Sequence, residues 1–185
     1  MRKKILIIST SPRRGGNSAT LAAEFAAGAS EGGAEVERVD LCDMEISFCR
    51  GCLACQKTGK CVVRDDAEKV LEKLRSCDAL AFATPVYFYE MSGQMKTLLD
   101  RTNPLFGSDY KFRQVYLIAS AADSDESAAD GAKNGLLGWL ACFEKAKLCG
   151  VVRGAGLCEP KDALKNKKLL RAARDMGKKA AEGQN

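Results

Sequence analysis

The chain has 185 residues, 46% of them hydrophobic and 6% aromatic, which fits a single domain over residues 1–185 that hides about 70% of its unfolded surface. Its formal charge of +5 is concentrated between Lys161 and Lys179, without interleaved aromatics, so a solvated helix face is expected there and no nucleic-acid partner. Histidine is absent, which excludes a Ser-His-Asp triad, an H-E-x-x-H zinc site and any imidazole base, and leaves the chemistry to a cofactor.

In chain order, Met1-Arg2-Lys3-Lys4 leads without a cleavable signal into an apolar strand, Lys4 to Ser9, and no apolar run reaches the ~20 residues that would span a bilayer. A cytoplasmic protein with no membrane partner is expected. After the strand, Ser9, Ser11, Asn17, Ser18 and Thr20 offer side-chain donors, and Gly15 and Gly16 let backbone amides approach an anion. A helix from Ser18 to Glu31 then points its positive end at the same place, with Arg13 or Arg14 able to add charge. The pattern predicts a phosphate cradle; the plainer alternative is a polar turn capping a helix. No G-x-G-x-x-G occurs here, and Gly59-Lys60 precedes Cys61 where a Walker loop needs Ser or Thr, so a mononucleotide suits the cradle better than a dinucleotide or triphosphate.

A second strand, Glu35 to Asp40, leads to Cys49-x2-Cys52-x2-Cys55-x5-Cys61 inside a cysteine-rich insertion at about 42–64. Two-residue gaps let three thiolates face one metal centre and the Gly-containing turn returns the fourth; an iron-sulfur cluster, structural zinc and metal-free thiols all remain open on spacing. The other five cysteines, Cys42, Cys77, Cys142, Cys149 and Cys158, lie in or beside apolar stretches and read as packing residues.

A helix from Asp66 to Ser76 and a third strand, Ala79 to Thr84, deliver Pro85-Val86-Tyr87-Phe88-Tyr89, a rigid loop with flat side chains that suits a flavin ring, or else plugs a core or meets a second copy. Further elements are a helix over Ser92 to Arg101, a strand over Val115 to Ser120, a helix over Ala128 to Leu148, a strand over Val151 to Cys158 and a helix over Asp162 to Ala181. Alternating strands and helices predict an α/β doubly wound, five-stranded parallel sheet in the flavodoxin-like order 2-1-3-4-5, with ligands at the carboxyl ends of its strands.

Ser9 to Ser18, Thr84 to Phe88 and Ser92-Gly93-Gln94-Met95-Lys96 together resemble the NADPH-dependent FMN reductase branch of the flavodoxin-like superfamily, over roughly residues 3 to 120. The resemblance implies that Ser9, Ser11, Arg13, Asn17, Ser18 and Ala19 hold the FMN phosphate, Ala19 by backbone alone, and that Pro85, Val86, Tyr87 and Phe88 hold the ring; the turn at Ser120 resembles a third flavin loop. The cysteine spacing is similar to the compact motif of iron-sulfur flavoproteins in that branch, which implies a [4Fe-4S] cluster on Cys49, Cys52, Cys55 and Cys61. The implied function is an oxidoreductase taking electrons from NAD(P)H or reduced ferredoxin and passing them to a small-molecule or protein acceptor. A homodimer or homotetramer is implied too, with Tyr87, Phe88 and Tyr89 at the interface. The rivals are a carrier without a substrate of its own, a metal-free FMN or quinone reductase, and a thiol or zinc sensor.

Overall fold

Ile5, Leu6, Ile7 and Ile8 lie at the centre of a sheet covered on both faces, which is why they show no polar alternation. The computed structural model describes residues 2–183, so what was expected of Met1 lies outside the described residues. Strand β1 (Lys4–Ser9) is flanked in parallel by β2 (Glu35–Asp40) and by β3 (Ala79–Tyr87). A short β4 (Glu90–Met91) folds back antiparallel on β3, and β5 (Gln114–Ser120) and β6 (Lys147–Gly154) complete the sheet in the order β2-β1-β3-β5-β6. With β4 set aside, this is the predicted flavodoxin-like order 2-1-3-4-5.

Successive residues of β1 serve opposite cores, as a strand period of two requires. Leu6 and Ile8 join Phe82, Leu117 and the helices α3 (Ala67–Ser76), α4 (Gly93–Arg101) and α5 (Asp130–Leu140). Ile5 and Ile7 join Ala79, Ala81 and Tyr116 beneath α1 (Asn17–Glu31) and α7 (Lys167–Glu182), with Ala173 and Ala180 as the apolar stripe of that basic helix. The two helices touch backbone to backbone: a Cβ on Gly28 would stand 1.9 Å from the Arg174 carbonyl oxygen. Arg174 also donates to Glu24 at 2.9 Å and pairs with Glu31, which neutralises part of the basic run.

The third strand runs on past Thr84 to Tyr87, and three boundaries toward the end of the chain differ from expectation as well. The helix placed over Ala128 to Leu148 stops at Leu140, because Phe143 turns into a cluster with Tyr110, Phe112 and Trp139, and the Tyr110 hydroxyl accepts the Lys145 amide at 3.0 Å. Residues 147 and 148 are thereby released to pair with β5, so the last strand is Lys147–Gly154 rather than Val151 to Cys158. The final helix divides into α6 (Asp162–Lys165) and α7, where the Asn166 side chain caps the latter by accepting the Leu169 amide at 3.1 Å.

Candidate functional site

The loop between β1 and α1 leaves most of its amides without a partner among the described residues. The Ser11 hydroxyl accepts the Arg13 amide at 3.1 Å and donates to the Arg13 carbonyl at 2.9 Å, and the Gly16 amide also donates to that carbonyl, so the turn is closed from within. Among the described residues nothing accepts the amides of Ser11, Arg14, Gly15, Asn17, Ser18 or Ala19. The Ser18 hydroxyl is buried there with no hydrogen-bond partner among the described residues, which is costly unless something outside the chain supplies one. An anion on the helix N-terminus would satisfy both the hydroxyl and the amides, so the residues present fit a phosphate.

Two of the expected contacts carry other bonds. Asn17 donates its side-chain amide to the Leu157 and Glu159 carbonyls at 3.2 and 3.0 Å and accepts the Ala163 amide at 3.0 Å, so it ties the segment after β6 to the cradle. Ser9 accepts Arg38 Nη2 at 3.5 Å, and Arg38 in turn clasps Asp40. Arg13 is exposed, and Arg14 pairs with Asp43 at 2.5 Å.

The second loop is a hairpin. Phe88 and Tyr89 form its two-residue turn, both left-handed at φ 51° and 62°, where hairpins ordinarily place Asn and Gly. Phe88 is 100% exposed. Two contacts hold the turn: the Tyr89 hydroxyl donates to Asp123 at 3.0 Å, and α5 comes so close that a Cβ on Gly131 would lie 2.0 Å from the Tyr89 carbonyl oxygen. Asp123 belongs to the loop after Ser120, and Ala121 there accepts the Leu157 amide at 2.8 Å. The structure therefore brings Ser11–Ala19, Pro85–Phe88 and Ser120 to one edge of the sheet, the carboxyl ends of β1, β3 and β5.

The cysteine segment is closed at its neck by a buried ion pair. Arg101, the last residue of α4, donates from Nη1 to Asp65 at 2.6 Å and to the Ser47 carbonyl at 2.7 Å, and from Nη2 to Asp65 at 2.9 Å and to the Val63 carbonyl at 3.2 Å. Asp65 also accepts the Ser47 and Ala67 amides. Burial pushes its carboxyl up, but the Arg101 guanidinium and those two amides outweigh burial and hold it below the usual carboxylate range. Inside the neck, where α2 (Ala54–Thr58) forms one wall, Cys49, Cys52, Cys55 and Cys61 line a single pocket with Arg101. Burial raises the Cys55 thiol, and the neighbouring Cys61 adds to the rise.

Among the described residues no group of three or more Cys, Asp or Glu is arranged to hold one metal ion. Four cysteines line this one pocket, a thiol donor set that an iron-sulfur cluster and structural zinc both take. The other cysteines depart from the packing expectation. Cys77 alone is buried, its thiol pushed up to about 12 by burial, and Cys149 is half-buried, while Cys42, Cys142 and Cys158 are exposed.

Helix α4, expected over Ser92 to Arg101, joins the two regions, a link that the sequence did not signal. Its N-cap, Ser92, shares a 2.9 Å hydrogen bond with the Thr10 hydroxyl beside the cradle, and its last residue enters the cysteine pocket. The two ends are roughly 14 Å apart at helical rise. Alongside runs an apolar groove of about 300 Å3 lined by Leu41, Met44, Ile46, Phe48 and the first residues of α4.

Residues 3–148 match the family described as NADPH-dependent FMN reductase. An iron-sulfur flavoprotein of Methanocaldococcus jannaschii is 40% identical over 102 residues, covering 55% of this chain and 53% of that protein. An iron-sulfur flavoprotein of Archaeoglobus fulgidus is 39% identical over 110 residues, covering 60% and 54%. The chain thus spans about half the length of the curated relatives it matches. The NAD(P)H:quinone oxidoreductase from Methanothermobacter marburgensis shares the fold, with a TM-score of 0.78 over 97% of this chain and 100% of that one at 19% identity.

Proposed function

Because the chain belongs to the NADPH-dependent FMN reductase family, we propose that it is an FMN-dependent oxidoreductase that draws electrons from NAD(P)H or reduced ferredoxin and carries a [4Fe-4S] cluster in its cysteine pocket. The observation that carries the reading is the buried Ser18 hydroxyl, which has no partner among the described residues and stands beside backbone amides that also lack one there. Those amides and that hydroxyl hold the phosphate, and the exposed Arg13 adds charge at the rim. Pro85, Val86, Tyr87 and Phe88 present the ring seat, which the Tyr89–Asp123 bond keeps in place, and Ser120 closes it from β5. FMN supplies hydride and one-electron chemistry when bound.

For the cluster, Cys49, Cys52, Cys55 and Cys61 are the ligands, an assignment supported by their common pocket and by the two iron-sulfur flavoprotein relatives. The apolar groove along α4 offers a flat acceptor a seat between the two sites.

The test uses anaerobically purified protein supplied with FMN. Rapid NADPH or NADH oxidation with a quinone or free flavin supports the reductase. Reduction by reduced ferredoxin with no turnover of a quinone or free flavin makes the protein a carrier, and failure to bind FMN ends the proposal.

A further inference from the structure

We propose that Arg101 donates its Nε–H to the sulfur of Cys61 and thereby raises the reduction potential of the centre that the four cysteines hold. This inference rests on the cluster reading above. A guanidinium has five N–H donors. Four of Arg101's, those on Nη1 and Nη2, go to Asp65, Ser47 and Val63, which tie the two flanks of the cysteine segment together. The side chain is only 1% exposed, and the fifth donor, Nε–H, is buried with no partner among the described residues. Clamping the neck accounts for the Nη donors and leaves that Nε–H unexplained.

Arg101 and the four cysteines line one pocket, and Cys61 stands two residues before Val63, whose carbonyl accepts from Arg101 at 3.2 Å. A thiolate there supplies the acceptor that the chain alone lacks. A thiolate-bound centre gains one negative charge for each electron it takes up, so a positive donor at a ligand sulfur stabilises the reduced form more than the oxidised one. Removing the donor makes reduction harder.

The experiment is a redox titration of the cluster, followed by electron paramagnetic resonance on anaerobically purified holoprotein, with iron per chain and FMN affinity measured on the same samples. Arg101→Lys keeps a cation facing Asp65 but has no Nε–H; it should bind FMN as the parent does and show a midpoint shifted to more negative potential. Asp65→Asn loosens the neck while keeping the donor, and should shift the midpoint less. A parent-like midpoint in Arg101→Lys overturns the proposal, as does an equal shift in Asp65→Asn, which would mean that Arg101 acts through the neck alone. If Arg101→Lys does not fold, the paired variant Arg101→Gln with Asp65→Asn removes both buried charges and is held to the same negative shift. Parent protein devoid of iron would sink the cluster reading, whereas an iron-loaded parent with unmoved variants sinks this inference alone.

Discussion

Ser18 is the residue at which apo stability and ligand binding pull apart. Its buried hydroxyl has no partner among the described residues, so Ser18→Ala should leave the apoprotein as stable as the parent or more so in urea unfolding. The same change should weaken FMN binding by about tenfold to a hundredfold, the loss of one charge-assisted hydrogen bond, read by flavin fluorescence. Asp65 makes the opposite case, since its carboxylate is the counter-charge of a buried arginine. Its carboxyl is held below the ordinary range, so the stabilisation is complete above about pH 4 and is lost as pH falls through the depressed value. Asp65→Asn should therefore cost about 3 kcal/mol at pH 7, and the gap to the parent should close in acid, as urea midpoints measured from pH 7 to pH 3 would show. The Ser and Gly pattern of the cradle was legible in the sequence because it is local. Arg101 was not, since an arginine closing an amphipathic helix looks like any exposed charge until Asp65, 36 residues away, is brought beneath it.

At the scale of elements, the strain sits in the hairpin. Two aromatic residues occupy left-handed positions that cost an L-residue about 1 kcal/mol or more each. Phe88, wholly exposed, gains nothing in return from the rest of the described chain. Phe88→Gly should accordingly raise stability by about 1 kcal/mol in chemical denaturation while weakening FMN binding, which is the pattern of strain kept for function. The sequence marked these aromatics as a loop, but could not show that β3 runs on to Tyr87 and folds back, because no Asn-Gly announces the turn. The early end of α5 was hidden for a similar reason: no Gly or Pro breaks the run after Leu140, and the aromatic cluster around Phe143 decides it. Central strands were readable because burial on both faces leaves uninterrupted apolar runs, which depend on no partner's identity.

On the scale of the whole molecule, the sheet aligns three loops along one edge, and α4 carries the connection onward, from a hydroxyl bonded to Thr10 at one end to the Arg101 clamp at the other. Hydrogen bonds at its two ends thus link the loop beside the cradle to the neck of the cysteine pocket. No helix among the described residues is long and apolar enough to cross a membrane. The most direct test of the account is a calorimetric titration of the apoprotein with FMN, run beside riboflavin, which lacks the phosphate. The account predicts one FMN per chain with riboflavin bound far more weakly; equal affinity for the two, or no binding of either, would contradict it.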